Sequence, residues 1–247
     1  MNHSDTEHAE VKQHPVVTIV AFGDSITETS HQQTDDRWPE ILRRKLQENF
    51  AGIEIAVVNA GVGGNTSREG LARIKKDVVC HHPHFVLFEF GNDPTSEPAR
   101  HVAVDEFIKN LSLIIARIST EAGGCPIPLI FPPIIDRWHC DYNHPVAQQN
   151  GGQDRHQEQY RAATRQVARD HRLPLADIDG ALRTEIAQQG PESCILPDGV
   201  HLTARSNECV VLAVLQVLSP EIENHLQRRG SASCWVSLFH FRLDQKL

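Results

Sequence analysis

Four short segments of this 247-residue chain carry side chains able to do chemistry, and three of them directly follow an apolar run. Gly23-Asp24-Ser25-Ile26-Thr27 offers a hydroxyl nucleophile. A serine at the carboxyl edge of a sheet is open to a ligand, and its backbone N–H can face a developing anion. The same residues also suit an ordinary strand-to-helix turn, since Gly, Asp and Ser are all turn formers. Asn59-Ala60-Gly61-Val62-Gly63-Gly64-Asn65-Thr66 opens a helix, where its N–H groups can meet an anion. It is not a dinucleotide loop, because it follows the second apolar run and puts Thr66 where the third glycine belongs. Gly91-Asn92-Asp93-Pro94 supplies either a side-chain amide aimed over the sheet edge or an Asx turn before proline. Asp198-Gly199-Val200-His201-Leu202-Thr203 places an acid three residues before a histidine. In a turn the two lie side by side, so Asp198 can accept the Nδ1 proton of His201 and leave Nε2 free as a base. The chain holds 15 histidines, so His201 taken alone argues little.

The elements that must position these groups follow from the hydropathy pattern. Continuous apolar runs at 16–22, 53–58, 85–90, 127–131 and 173–178 predict strands buried on both faces of a parallel sheet. Helical spacing covers 38–49, with Pro39 near its start where proline is tolerated, and 104–118, where Phe107, Ile108, Leu111, Ile115 and Ile118 share one face. Weaker helical patterns span 66–79, 153–170, 180–188 and 203–218. The alternation predicts an α/β fold, a three-layer α/β/α sandwich with a central parallel, flavodoxin-like sheet that takes ligands at the carboxyl ends of its strands. We expect a polar N-terminal segment at 1–15, one domain over 16–218 and a C-terminal extension at 219–247. The extension ends in the alternating Cys234-Trp235-Val236-Ser237-Leu238-Phe239-His240-Phe241, which suits an edge strand, a dimer contact or disorder. The 132–152 stretch is a long loop, and loops of that length are often functional.

A serine after the first strand, a glycine-rich turn after the second, an asparagine after the third and a late DxxH occur in the order seen in the SGNH (GDSL-like) hydrolase family. The chain resembles that family over about residues 16–218. The resemblance implies a serine esterase in which Ser25 is the nucleophile, His201 its base and Asp198 the orienting acid. It also implies that Gly64 and Asn92 join the Ser25 N–H as oxyanion donors, with no metal or other cofactor. One departure stands out: the third block of the family reads GxND, whereas here Gly91 abuts Asn92 and Phe90 occupies the place of the glycine.

Composition narrows the partners. A formal net charge of -8 and a pI near 6.0 argue against a nucleic-acid partner, which needs a basic face. No apolar run is long enough to span a bilayer and 1–14 lacks the apolar core of a secretory signal, so a cytoplasmic protein without a membrane partner is expected. Six cysteines without a CxxC pair read as free thiols. The oligomeric state is left open. The loop residues Asp136, Arg137, Trp138, His139, Tyr142, Asn143 and His144 would suit a small polar ester such as an acetylated carbohydrate, with a thioester or lysophospholipid as the alternative. His139, Cys140, Asp141 and His144 can be taken for metal ligands, but acyl transfer needs none and a loop surface is the preferred reading. Two rivals are a catalytically silent carbohydrate-binding protein on the same fold and a flavin or nucleotide binder, for which the first turn is too poor in glycine.

Overall fold

The computed structural model describes residues 16–230. Strands β1 (Val16–Gly23), β2 (Glu54–Gly61), β3 (Phe85–Phe88) and β4 (Cys125–Pro128) form a parallel sheet in the order β2-β1-β3-β4. Successive side chains of a strand point to opposite faces, and the sheet uses both. Val17, Ile19, Ala21, Phe85 and Leu87 enter one core, which is closed by helices α2 (Trp38–Asn49), α7 (Ile178–Gln189) and α8 (Ala204–Gly230). Val20, Phe22, Val86 and Phe88 enter the other, closed by α3 (Ser67–Asp77), α4 (Val104–Arg117) and α6 (Gln153–Asp170). The result is the expected three-layer α/β/α sandwich.

Because β2 and β3 lie on opposite sides of β1, the chain reverses its direction of travel across the sheet there. A crevice opens at the carboxyl ends of the strands at such a switch point. The first three chemical segments leave β1, β2 and β3 at that edge.

Two expectations are corrected. The run at 173–178 does not become a fifth strand. It makes only the parallel bridge Leu129↔Ala176, with Ala176 N–H donating to the Pro128 carbonyl at 3.1 Å and Ile130 N–H to the Ala176 carbonyl at 3.0 Å. Pro174 lacks an N–H for a ladder, and Asp177 already caps α7 through the Gly180 N–H. The last helix does not end at 218 but continues to Gly230 through Pro220. Leu218 and Ile222, both fully buried, anchor it to the core on either side of the proline. The alternating stretch Cys234 to Phe241 and the segment 1–15 lie outside the described residues.

Candidate active site

The first segment is shaped by what lies beneath it. A Cβ on Gly23 would stand 2.2 Å from Glu89 Oε1 and 2.4 Å from Thr27 Oγ1, so only glycine lets β1 pass this close to β3. Asp24 then caps the short helix α1 (Ser25–Glu28), its Oδ1 accepting the Ile26 N–H at 2.9 Å. The Trp38 indole N–H donates to the Ile26 carbonyl at 2.9 Å, tying α1 to the buried start of α2. Ser25 is thereby fixed at the first position of a helix at the sheet edge, with its side chain half-buried.

From the far end of the chain, His201 reaches the same point. Its Nε2 lies 2.9 Å from Ser25 Oγ and its Nδ1 lies 2.8 Å from Asp198 Oδ2. An ionised carboxylate only accepts, so Nδ1 carries the proton and Nε2 presents a lone pair to the serine hydroxyl. Asp198 Oδ1 also accepts the N–H groups of Val200 and His201, both at 2.9 Å, so the turn that carries the acid fixes its own histidine. Burial pushes the Asp198 carboxyl up, but these donors and the His201 side chain outweigh it and hold the group below its usual range.

Gly199 joins this turn to the 132–152 loop. Its φ of +79° favours glycine, and a Cβ there would stand 2.7 Å from the Ile135 carbonyl. Ile135 N–H donates to the Gly199 carbonyl at 2.8 Å. The foot of the loop is clamped by Arg161, a buried guanidinium that donates to the carbonyls of Phe131 at 3.0 Å and Pro132 at 2.7 Å. Asp154 completes the clamp by accepting the Ile134 N–H at 2.9 Å. The loop is partly structured, with a 3-10 turn at Asp136–Trp138 and the short helix α5 (Pro145–Gln149).

The glycine-rich second segment docks on α1. A Cβ on Gly61 would stand 2.1 Å from the Glu28 nitrogen, and Gly63 N–H donates to Glu28 Oε2 at 2.9 Å. A Cβ on Gly63 would be 3.9 Å from the Ser25 Cβ, which places this turn beside the serine. Gly64 has a φ of +74°, and its carbonyl accepts from the Arg100 guanidinium.

The third segment resolves the departure from GxND. β3 ends at Phe88, and Phe90 turns into the core against Phe22 and over Gly70, where a Cβ would lie 2.2 Å from the ring. Gly91 lies under Phe131, which a Cβ would meet at 1.8 Å, so Gly91 is the residue of close approach. Asn92 donates one of its amide hydrogens to Asp24 Oδ2 at 2.9 Å, next to the serine.

All five sequence-predicted residues therefore converge on the carboxyl edge: Ser25, His201 and Asp198 in one hydrogen-bonded chain, Asn92 through Asp24, and Gly64 beside Gly63. Sequence reasoning missed four neighbours. His31 packs its ring 4.9 Å from that of His201 and contacts the Leu202 carbonyl at 3.2 Å; burial lowers its pKa. Asp24 was read only as a turn former. Glu89, buried beneath Asp24, was detectable as the lone charge in the apolar run 85–90. Asp93 is also buried, and burial raises its pKa to about 7 while it accepts the N–H and hydroxyl of Ser67 at the start of α3.

In the 132–152 loop, His139, Cys140 and Asp141 present ligand-type atoms within 4.8 Å of one another. His139 Nδ1 accepts the Asp141 N–H at 3.0 Å, and Asp141 Oδ2 accepts the hydroxyl of Ser96, from the segment after β3, at 2.6 Å. Among the described residues no helix is long and apolar enough to cross a membrane.

This edge, with a serine, histidine and aspartate in line, is the arrangement of an α/β/α hydrolase. Residues 21–208 match the GDSL-like Lipase/Acylhydrolase family, and the chain belongs to it. It is 28% identical over 216 residues to the uncharacterized lipoprotein YqeF of Bacillus subtilis (strain 168), covering 78% of this chain and 85% of that one. It is 34% identical over 115 residues to thioesterase 1/protease 1/lysophospholipase L1 of Escherichia coli (strain K12), covering 43% of this chain and 53% of the relative. The crystal structure of Axe2, an acetylxylan esterase from Geobacillus stearothermophilus, superposes with a TM-score of 0.66 at 21% identity, covering 83% of this chain and 95% of the other. The chain is thus an esterase-class hydrolase by family.

Proposed function

We propose that the protein is a serine esterase that removes a short acyl group, such as acetyl, from a polar alcohol by an acyl-enzyme mechanism. The observation that carries this reading is the chain Asp198–His201–Ser25, with contacts of 2.8 and 2.9 Å. His201 Nε2 takes the Ser25 proton as Oγ attacks the acyl carbonyl carbon, and the carbonyl oxygen becomes an oxyanion. The N–H groups of Ser25 and Gly64 and the Asn92 amide receive that charge. Collapse expels the alcohol, which leaves with the proton held on His201. A water activated by the same imidazole then releases the acid.

The preference for a polar alcohol rests on the wall beside the histidine turn. Ile135, bonded to Gly199, lines an open groove of about 540 Å³ shared with Ile134, Asp136, Arg137, Tyr142 and Gln148. Tyr142 is exposed, and Arg137 lies over the Trp138 ring at 5.3 Å. Planar and charged groups of this kind pack on sugar faces and bond hydroxyls. The acetylated sugar polymer in the name of Axe2 fits the same substrate class. A panel of p-nitrophenyl esters of increasing chain length, run beside acetylated xylooligosaccharides and acyl thioesters, tests it. We expect kcat/KM to be highest for acetyl and to fall with chain length. A maximum on long acyl chains or on thioesters would overturn the substrate assignment.

A further inference from the structure

Two carboxyl groups lie buried directly beneath Ser25, and no catalytic step described above uses either. Asp24 is wholly buried and Glu89 is 2% exposed. They are in contact through the backbone, since Asp24 N–H donates to Glu89 Oε1 at 3.1 Å. Their surroundings differ sharply. Asp24 accepts three donors: Ile26 N–H at 2.9 Å on Oδ1, and Gly91 N–H at 2.8 Å and Asn92 Nδ2 at 2.9 Å on Oδ2. Glu89 Oε1 accepts the Thr27 hydroxyl at 2.6 Å and the Asp24 N–H, while its Oε2 is buried without a hydrogen-bond partner. The other charged or titratable groups around this pair are Asp93 after β3, His201 on the last turn, and Arg73 of α3. The Arg73 guanidinium is spent on the carbonyls of Gly23 and Ala60 and the side chains of Asn65 and Asp77. Both donors to Glu89 Oε1, the Thr27 hydroxyl and the Asp24 N–H, are neutral.

We propose that Asp24 and Glu89 hold a single negative charge between them, with Glu89 kept as the neutral acid and Asp24 ionised as the positioning residue for Asn92 and Gly91. An ionised carboxylate is stable in a buried site only where donors surround it, and that condition holds at Asp24 and fails at Glu89 Oε2. Burial and the neighbouring Asp24 charge both push the Glu89 carboxyl well above its ordinary range. The consequence for turnover is geometric. Asp24 takes one hydrogen of the Asn92 amide, which fixes the amide plane and leaves the other hydrogen free for the oxyanion of the proposed mechanism. A second charge on Glu89 would set two anions beneath the position where the oxyanion forms. The turnover half of this proposal rests on the serine-esterase reading; the protonation half does not.

The test uses the full-length protein and needs both halves. Glu89 binds its proton more tightly in the folded than in the unfolded chain, where its pKa is about 4.3. The stability contributed by this proton is therefore fully present below that pH and is lost as pH rises through the folded pKa. Glu89→Gln cannot ionise, so the melting temperature of the variant minus that of wild type should rise steadily with pH above about 4.3. A flat or falling difference would overturn the neutral acid. Infrared spectra at neutral pH give a second reading that survives even if this variant does not fold. A carboxylic-acid carbonyl band should be present in wild type and persist in Asp93→Asn, and it should vanish when Glu89→Gln is added to Asp93→Asn, since Asp93 itself holds a proton in part at neutral pH; its absence from Asp93→Asn would overturn the proposal. For the positioning half, folded Asp24→Asn should lose about 100-fold in kcat on p-nitrophenyl acetate with KM changed by less than about threefold. Full kcat in a folded Asp24→Asn would show that Asp24 only braces the turn. Should Ser25 prove not to be the nucleophile, the melting and infrared results stand on their own and the two failures remain distinct.

Discussion

Asp198 and Asp24 approach the same serine from opposite sides and live in opposite surroundings. Asp198 is on an exposed turn, its side chain 49% accessible, and it bonds the imidazole that gains and loses a proton in the proposed mechanism. Asp24 is at the buried end of β1, and its partners are two backbone N–H groups and an amide that never titrate. Their pKa values move in opposite directions. The donors from His201 and Val200 outweigh burial at Asp198 and hold it low, whereas at Asp24 burial outweighs the Ile26 and Gly91 donors and pushes it up. Charge-assisted hydrogen bonds contribute about 1.5–3 kcal/mol each, while full desolvation of a carboxylate costs several kcal/mol, so partial water access decides the sign at Asp198. The pair teaches a division of labour. A carboxylate that must follow a moving proton is kept near water, and one that must hold neighbours still is kept away from it.

The sharpest way to break that division is at the exposed member. Asp198→Asn keeps the shape of the side chain but lets its amide donate, which favours the His201 tautomer with the proton on Nε2, facing the serine. A change of this kind costs about 10⁴-fold in kcat in a serine triad, and we expect a loss of that order with the melting temperature nearly unchanged. A loss below about tenfold would mean that Asp198 only shapes the turn. A smaller effect is expected on the buried side, at the donor that Asp24 holds. Asn92→Ala removes an interaction with charge that exists only in the transition state, so kcat should fall about 100- to 1000-fold with little change in KM. A folded Asn92→Ala enzyme within about threefold of wild-type kcat would leave the oxyanion to the two backbone donors, Ser25 and Gly64.

The same contrast explains what was legible in the sequence. Asp198 and His201 are three residues apart, and local spacing alone puts them in contact. The turn glycines and the apolar runs are local signals too, and they placed the nucleophile, the glycine-rich turn and the asparagine at one sheet edge. Glu89 and Asp24 are 65 residues apart and meet only because β1 and β3 are neighbours in the sheet, so their partnership was hidden although the lone acid in an apolar run was visible. Arg161 was hidden in the same way: on paper it is one more arginine of a polar helix, and only the folded chain aims it at Phe131 and Pro132. The misjudged elements both involve proline. Pro174 was overlooked inside an apolar run that reads as a strand, and α8 continues through Pro220 because buried side chains on both sides outweigh the local break.

The proposed nucleophile is Ser25, activated by a histidine 176 positions further along the chain. Treating the protein with an active-site-directed organophosphonate and sequencing the modified peptide by mass spectrometry tests it most directly. One covalent adduct is expected, on Ser25, formed in step with the loss of ester hydrolysis and absent from Ser25→Ala, which should itself be inactive. Labelling at another residue, or an undiminished rate in Ser25→Ala, would contradict it.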